Sequence, residues 1–267
     1  MRTFTEFVAL VKRLRGPQGC PWDREQTPES LRPCLLEETY EVLDAIGAAD
    51  PQALKDELGD LLLQVVMQAE LAAESGSFTI DDVIAAIAGK MVRRHPHVFG
   101  DAVVTDSAEV VHRWSRIKAE ERAAKGPASD RSVLSGLPPE LPALHAAYRM
   151  GEKAARVGFD WTSARHALNK VREETDELDR ALTGGDQAQI EHELGDALFA
   201  LASVARLANH SPEMALRAAL ARFARRFRRI EAWLHERNRD IHALTPGELE
   251  TLWEEAKATE GTWPRVR

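Results

Sequence analysis

The chain is predicted to be all-α, built as two tandem four-helix-bundle-like modules. Three observations lead there. The punctuation along the chain is that of helices, the apolar residues recur at helical spacing, and one half of the sequence repeats the other at a fixed distance. No alternating apolar–polar run flanked by hairpin turns competes with that reading.

Taken in order, Asp50-Pro51 offers an N-cap and a proline for the first helical position, ahead of "QALKDELGDLLLQVVMQAELAAES" and a stop at Gly76. Asp106, with Glu109 three residues on, opens another helix. Gly184-Gly185-Asp186 ends one helix and caps the next, so the two flanking helices are antiparallel neighbours. Ser211-Pro212 starts a long helix running to about Arg237, and "TPGE" at Thr245–Glu248 is a capping-box pattern. Within these segments Leu58, Leu61, Leu62, Val65 and Val66 make one apolar stripe, and Leu194, Leu198, Leu201 and Ala202 make the corresponding one. Phe223, Phe227, Ile230 and Leu234 form a third.

The repeat is exact in register. "LLEETYEVLD" (Leu35–Asp44) aligns with "VREETDELDR" (Val171–Arg180) at a separation of 136 residues, and the same separation lays "KDELGDLLLQ" on "EHELGDALFA". Further on, "KMVRR" resembles "RFARR" and "WSRIK" resembles "WEEAK". Between the copies "KGPASDRSVLSGLPPELP" reads as a linker. The predicted organisation is a module over 1–124, a linker over 125–142 and a module over 143–267. Packing alone accounts for repeated leucines, but not for acids, arginines and a Trp–Lys pair at matched places.

Composition narrows the classes. A net charge of -8 argues against a general nucleic-acid or membrane-surface binder. The apolar runs "LLLQVVM" and "ALFALASVARLA" are too short to span a bilayer, and the N-terminus does not have the pattern of a signal peptide. Two cysteines, Cys20 and Cys34, fit neither a disulfide framework nor a zinc site. A cytoplasmic protein is the expectation.

Chemistry enters with the acids. Residues three apart share a helix face, so Glu174 and Glu177 point together, as do Glu193 and Asp196. Glu38 with Glu41, and Glu57 with Asp60, repeat the arrangement in the first copy. A single ExxE is ordinarily a solvated face; ExxE followed by ExxD on the next antiparallel helix gathers four carboxylates, with Glu173 close by. Like charges about 4 Å apart repel by roughly 4 kcal/mol near a protein surface, so such a cluster calls for a cation. An all-oxygen donor set suits Mg²⁺, or Mn²⁺. Gly59 and Gly195 lie within these motifs, where a glycine costs a helix about 0.5–1 kcal/mol relative to alanine. Close approach of another helix or of a ligand is one account of them, and close helix packing alone is the other.

A cation held by acids needs a substrate with its own negative charge. Arg222, Arg225, Arg226 and Arg229 fall on one face of a helix, and a guanidinium fork suits phosphate oxygens. Lys257 adds a point charge, Trp253 an aromatic surface for a base, and Lys170 sits on the acidic helix itself. Together they describe a triphosphate site.

The combination of "EETYE"…"ELGD" and "EETDE"…"ELGD" with "GCPWDREQT", "RRHPHVFGD", "WSRIKAEER" and "GFDW" resembles the MazG family of nucleoside triphosphate pyrophosphohydrolases over nearly the whole chain. That resemblance implies modules of the all-α NTP pyrophosphohydrolase type that dimerise and hydrolyse NTPs or dNTPs to the monophosphate and pyrophosphate with Mg²⁺. It implies Glu174, Glu177, Glu193 and Asp196 as metal ligands, with Glu38, Glu41, Glu57 and Asp60 as their first-copy equivalents. Lys170, Glu173, Arg222, Arg226, Trp253 and Lys257 would surround the nucleotide, with Arg94, Trp114 and Lys118 as lesser candidates in the first copy. Glu174, or else Glu173, would position the attacking water. The denser arginine face, and Lys170 where the first copy has Cys34, favour the C-terminal module as the main active site. The alternative is a non-catalytic module that binds nucleotide for regulation or interaction.

Overall fold

A computed structural model describes residues 3–106, 109–110, 113–114, 116–117, 120–121 and 132–259. Among them there are eleven α-helices, one 3-10 turn and no strand. The chain divides into two compact units, Met1–Gly126 and Pro127–Arg267.

The first unit contains α1 (Phe4–Arg15), α2 (Pro21–Glu25), α3 (Arg32–Ala48), α4 (Pro51–Glu74), α5 (Ile80–Arg94) and α6 (Pro96–Phe99). Its frame is the α3–α4 hairpin. Ala49 ends α3 in the left-handed conformation (φ 53°), and the Asp50 carboxylate accepts from the Gln52 and Ala53 amides to start α4. Val11, Leu31, Val66, Met67 and Leu71 form its core. The buried Arg15 ties the entry loop down: it donates twice to Glu74, each bond 2.7 Å, and also to the carbonyls of Asp23 and Gln26.

The second unit contains α7 (Ala143–Ala155), α8 (Ala164–Gly184), α9 (Gln187–Leu207), α10 (Pro212–Glu236), a 3-10 turn (Ile241–Ala243) and α11 (Pro246–Thr259). The α8–α9 hairpin repeats α3–α4, with Gly185 (φ 72°) at the position of Ala49 and Asp186 capping as Asp50 does. Ser163 caps α8 through the His166 amide. The half-buried Arg206 on α9 reaches Asp160 in the turn before α8, at 2.5 and 3.1 Å, passing over Gly151 of α7. A Cβ on residue 151 would stand 2.7 Å from the Arg206 Nε, so only glycine leaves that path open. Ile230, Leu234, Leu252 and Ala256 join α10 to α11. Residues 132–142, which read from composition as linker, group with this unit: the buried Lys153 of α7 donates to the Ser135 carbonyl at 2.6 Å.

The apolar stripes divide rather than burying as wholes. On α9 the inward face is Glu193, Ala197, Ala200, Ala202 and Ser203, whereas Leu194, Leu198 and Leu201 are 46–48% exposed. On α4 Val66 is buried, and Leu58, Leu62 and Val65 face outward. Small residues let the hairpin helices approach closely, and the large ones are left on the opposite side, so each helix has two apolar faces. On α10 the same split sends Ile230 and Leu234 inside and leaves Phe223 and Phe227 outside.

Candidate active site

Antiparallel packing of α8 on α9 sets the acids facing one another. Glu174, in mid-α8, is only 3% exposed and Glu193, on α9, only 9%. Each of Glu174, Glu193 and Asp196 presents a carboxylate oxygen within 4.8 Å of the others. A second set, Glu173, Glu174 and Glu177, adjoins it through the shared Glu174. Lys170 Nζ lies 2.6 Å from Glu174 and 2.8 Å from Glu173, and these two hydrogen bonds, Glu173 first, raise the ammonium pKa well above its usual value. Glu177 also meets Arg180 at 3.4 Å, and His192 approaches Asp196 at 3.5 Å.

The first unit repeats the cluster on α3 and α4. Glu38, Glu57 and Asp60 bring oxygens within 4.8 Å, and Glu41 shares a hydrogen bond with Glu57. Removal from water, followed by the neighbouring Asp60, Glu41 and Glu57 charges, pushes the Glu38 carboxyl up. Desolvation and then Glu41 and Asp60 do the same to Glu57. Both clusters offer several carboxylate oxygens and no sulfur or nitrogen donor, the set a hard divalent cation takes.

Among the described residues, Gly59 and Gly195 do not serve packing within their own modules. A Cβ at either position would meet no atom within 4 Å, so the close-packing account fails inside the module and the notch opens outward.

The anion-side residues form a second group on α10 and α11. The Arg226 guanidinium lies 5.6 Å over the Trp253 ring, and Phe223 sits 5.0 Å from the same ring and 6.0 Å from Phe227. Arg222 is exposed one turn before Arg226. Arg229 instead stacks on Trp233 at 5.0 Å, and Lys257 pairs with Glu254 of its own helix at 2.7 Å. The arginine face predicted as one surface is therefore shared between two aromatic partners. The spacing of Phe223 with Phe227 and Ile230 reads as core, whereas its exposure beside Trp253 is a signal a sequence does not carry.

The Arg-on-Trp pairing also occurs in the first unit, where Arg94 lies 5.9 Å over Trp114. There Arg94 is taken up by Glu121, at 2.6 and 3.1 Å.

The sequence carries the model of the MazG nucleotide pyrophosphohydrolase domain twice, over residues 26–99 and 163–234, each match spanning one acidic hairpin. The chain belongs to the MazG family. It is 43% identical to the nucleoside triphosphate pyrophosphohydrolase of Escherichia coli (strain K12), over 97% of this chain and 99% of that protein. It is 41% identical to the nucleoside triphosphate pyrophosphohydrolase/pyrophosphatase MazG of Thermotoga maritima, over 97% of each. A Mycobacterium tuberculosis nucleoside triphosphate pyrophosphohydrolase matches 57% of the chain at 40% identity, over 45% of its own length. Of the MazG-family residues expected at the site, Lys118 lies outside the described residues. Among the described residues no helix is long and apolar enough to cross a membrane.

Proposed function

We infer that this MazG protein is a nucleoside triphosphate pyrophosphohydrolase, converting NTPs or dNTPs to the monophosphate and pyrophosphate, with its main active site in the C-terminal module. The observation that favours the C-terminal copy is Lys170, 2.6 Å from Glu174 where the first copy has Cys34, beside the acids Glu174, Glu193 and Asp196 that converge within 4.8 Å on the α8–α9 hairpin. These three, with Glu177, would hold Mg²⁺ or Mn²⁺. Such an ion, when bound, neutralises and orients the triphosphate. Burial of Glu174 suits a ligand, and the exposure of Glu173, whose side chain is 58% exposed, supports it over Glu174 as the group that would accept a proton from the attacking water. Water adds to the α-phosphorus, the bond to the α,β-bridging oxygen breaks, and pyrophosphate leaves. Arg222, Arg226 and Lys257 offset its charge, and Trp253 with Phe223 presents a face to the base.

The N-terminal cluster would be a weaker or regulatory nucleotide site, since no lysine there matches Lys170. The outward leucines of α4 and α9 support a homodimer. The same face, with its glycine notch, occurs in both modules at one register and leaves an apolar surface on each for a second copy to cover. Two free cysteines suit a reducing cytoplasm.

One assay tests the reading: all eight NTPs and dNTPs with Mg²⁺, scoring pyrophosphate against orthophosphate. Pyrophosphate release that disappears in Glu193→Ala with Asp196→Ala is expected. Mg²⁺-dependent nucleotide binding with no product would make the protein a non-catalytic nucleotide-binding module instead.

A further inference from the structure

Lys170 is replaced outright in the N-terminal cluster, by Cys34, as Arg180 is by Asp44 and His192 by Asp56, and of the three it alone lies within 3 Å of the acids. The two hairpins agree in Glu37/Glu173, Glu38/Glu174, Glu41/Glu177, Glu57/Glu193 and Asp60/Asp196, but Lys170 faces Cys34 across the repeat. From one turn before the acids, the Lys170 ammonium contacts both Glu174 and Glu173. Glu174 is almost fully withdrawn from water, so its charge must be met by the protein or by an ion. A lysine suits a temporary partner: it is a compact charge on a flexible stem, and with 39% of its side chain exposed its tip has somewhere to go.

We propose that Lys170 is the resident counter-ion of the C-terminal cluster, holding Glu174 in place before a divalent cation arrives and giving it up once the cation is bound. This rests on the reading of that cluster as a metal site. A Glu174 oxygen committed to a dication has less negative charge left for the ammonium, which is then free to meet the phosphates the nucleotide brings. The carboxylates thus stay assembled without metal, and the positive charge that assembled them passes to the substrate. The N-terminal hairpin has no such device, and its acids face one another directly.

The test uses the full-length protein with the N-terminal cluster silenced by Glu57→Gln and Asp60→Asn, with and without Lys170→Met. Two quantities are read: thermal midpoint without metal and with saturating Mn²⁺, and Mn²⁺ affinity by calorimetry without nucleotide. The expected result is a midpoint lowered by about 2–4 °C only in the metal-free protein, together with roughly three- to tenfold tighter Mn²⁺ binding, since the competing ammonium is gone. Equal loss of midpoint in both states with unchanged affinity would reduce Lys170 to an ordinary surface ion pair and overturn the proposal. Tighter binding with no metal-free loss would leave only distant repulsion, and weaker binding would make Lys170 a support of the loaded site; either also overturns it. Lys170→Gln repeats the measurement should the methionine variant not fold. Absence of Mn²⁺ binding before Lys170 is changed would instead strike the metal-site reading itself.

Discussion

The α3–α4 and α8–α9 hairpins are the same device with a different charge balance. Both bring three carboxylate oxygens within 4.8 Å, through acids at matched positions. In the second, Lys170 stands among them; in the first, Cys34 occupies that place, and desolvation and mutual repulsion raise the Glu38 and Glu57 carboxyls. On the anion side the relation continues. Arg226 and Arg94 each lie over a tryptophan, and Arg94 also meets Glu121. A duplicated frame can thus preserve its acids while Lys170 belongs to one copy alone, and the proposal that the second copy handles the triphosphate rests on that lysine.

The strongest way to break this comparison is to remove acids from each copy in turn. Glu193→Ala with Asp196→Ala should lower pyrophosphate release by at least about 100-fold, because losing even a residue that only supports a metal ligand costs 10–100-fold. Glu57→Ala with Asp60→Ala should leave most of the activity. The reverse ranking would move the active site to the first module.

The outward leucines allow a second test. Leu198→Glu and Leu62→Glu place a charge on an exposed apolar face of α9 and α4 respectively, and should shift the mass seen by light scattering from dimer toward monomer. An unchanged dimer in the double variant would place the interface elsewhere.

A smaller effect sharpens the comparison at the turns. Ala49 holds the left-handed conformation that Gly185 holds in the other hairpin, at a penalty of about 1–2 kcal/mol for a residue with a Cβ. Ala49→Gly should therefore stabilise the first unit by about 1 kcal/mol in urea unfolding, and Gly185→Ala should destabilise the second by a similar amount.

The smallest effect concerns the caps before Trp114 and Trp253. Thr105 binds Glu109, and Thr245 binds Glu248; both carboxyls are lowered, chiefly by the threonine amide. Arg239 adds to the second, taking Glu248 to about 2. A depressed acid stabilises above its unfolded value near 4.5, and that contribution is lost as pH falls through about 2. The stability gap between unchanged protein and Glu248→Gln should be full above about pH 5 and close toward pH 2. The gap for Glu109→Gln should close in the same direction as pH falls.

Much of this was legible in the residues. Caps at Asp50, Asp186 and Ser211 formed where Asp-Pro, Gly-Asp and Ser-Pro announced them, because a cap is a local contest over a few amides. The acid sets were legible because helical spacing and a short turn between helices fix which carboxylates meet. The side to which the leucines turn was not: α9 is apolar on two faces, and only packing decides that alanines go in. Nor could spacing divide the arginines between Trp253 and Trp233, since that depends on contacts made across helices.

Gly151 has a reach beyond its own helix. The α8–α9 hairpin is closed by Asp186 at one end and bolted at the other by Arg206 to Asp160, so the carboxylates occupy a span supported like a beam at both ends. Any side chain on residue 151 would loosen one support about 15 Å along α9 from Asp196. The proposed cation site would feel that change before the fold did.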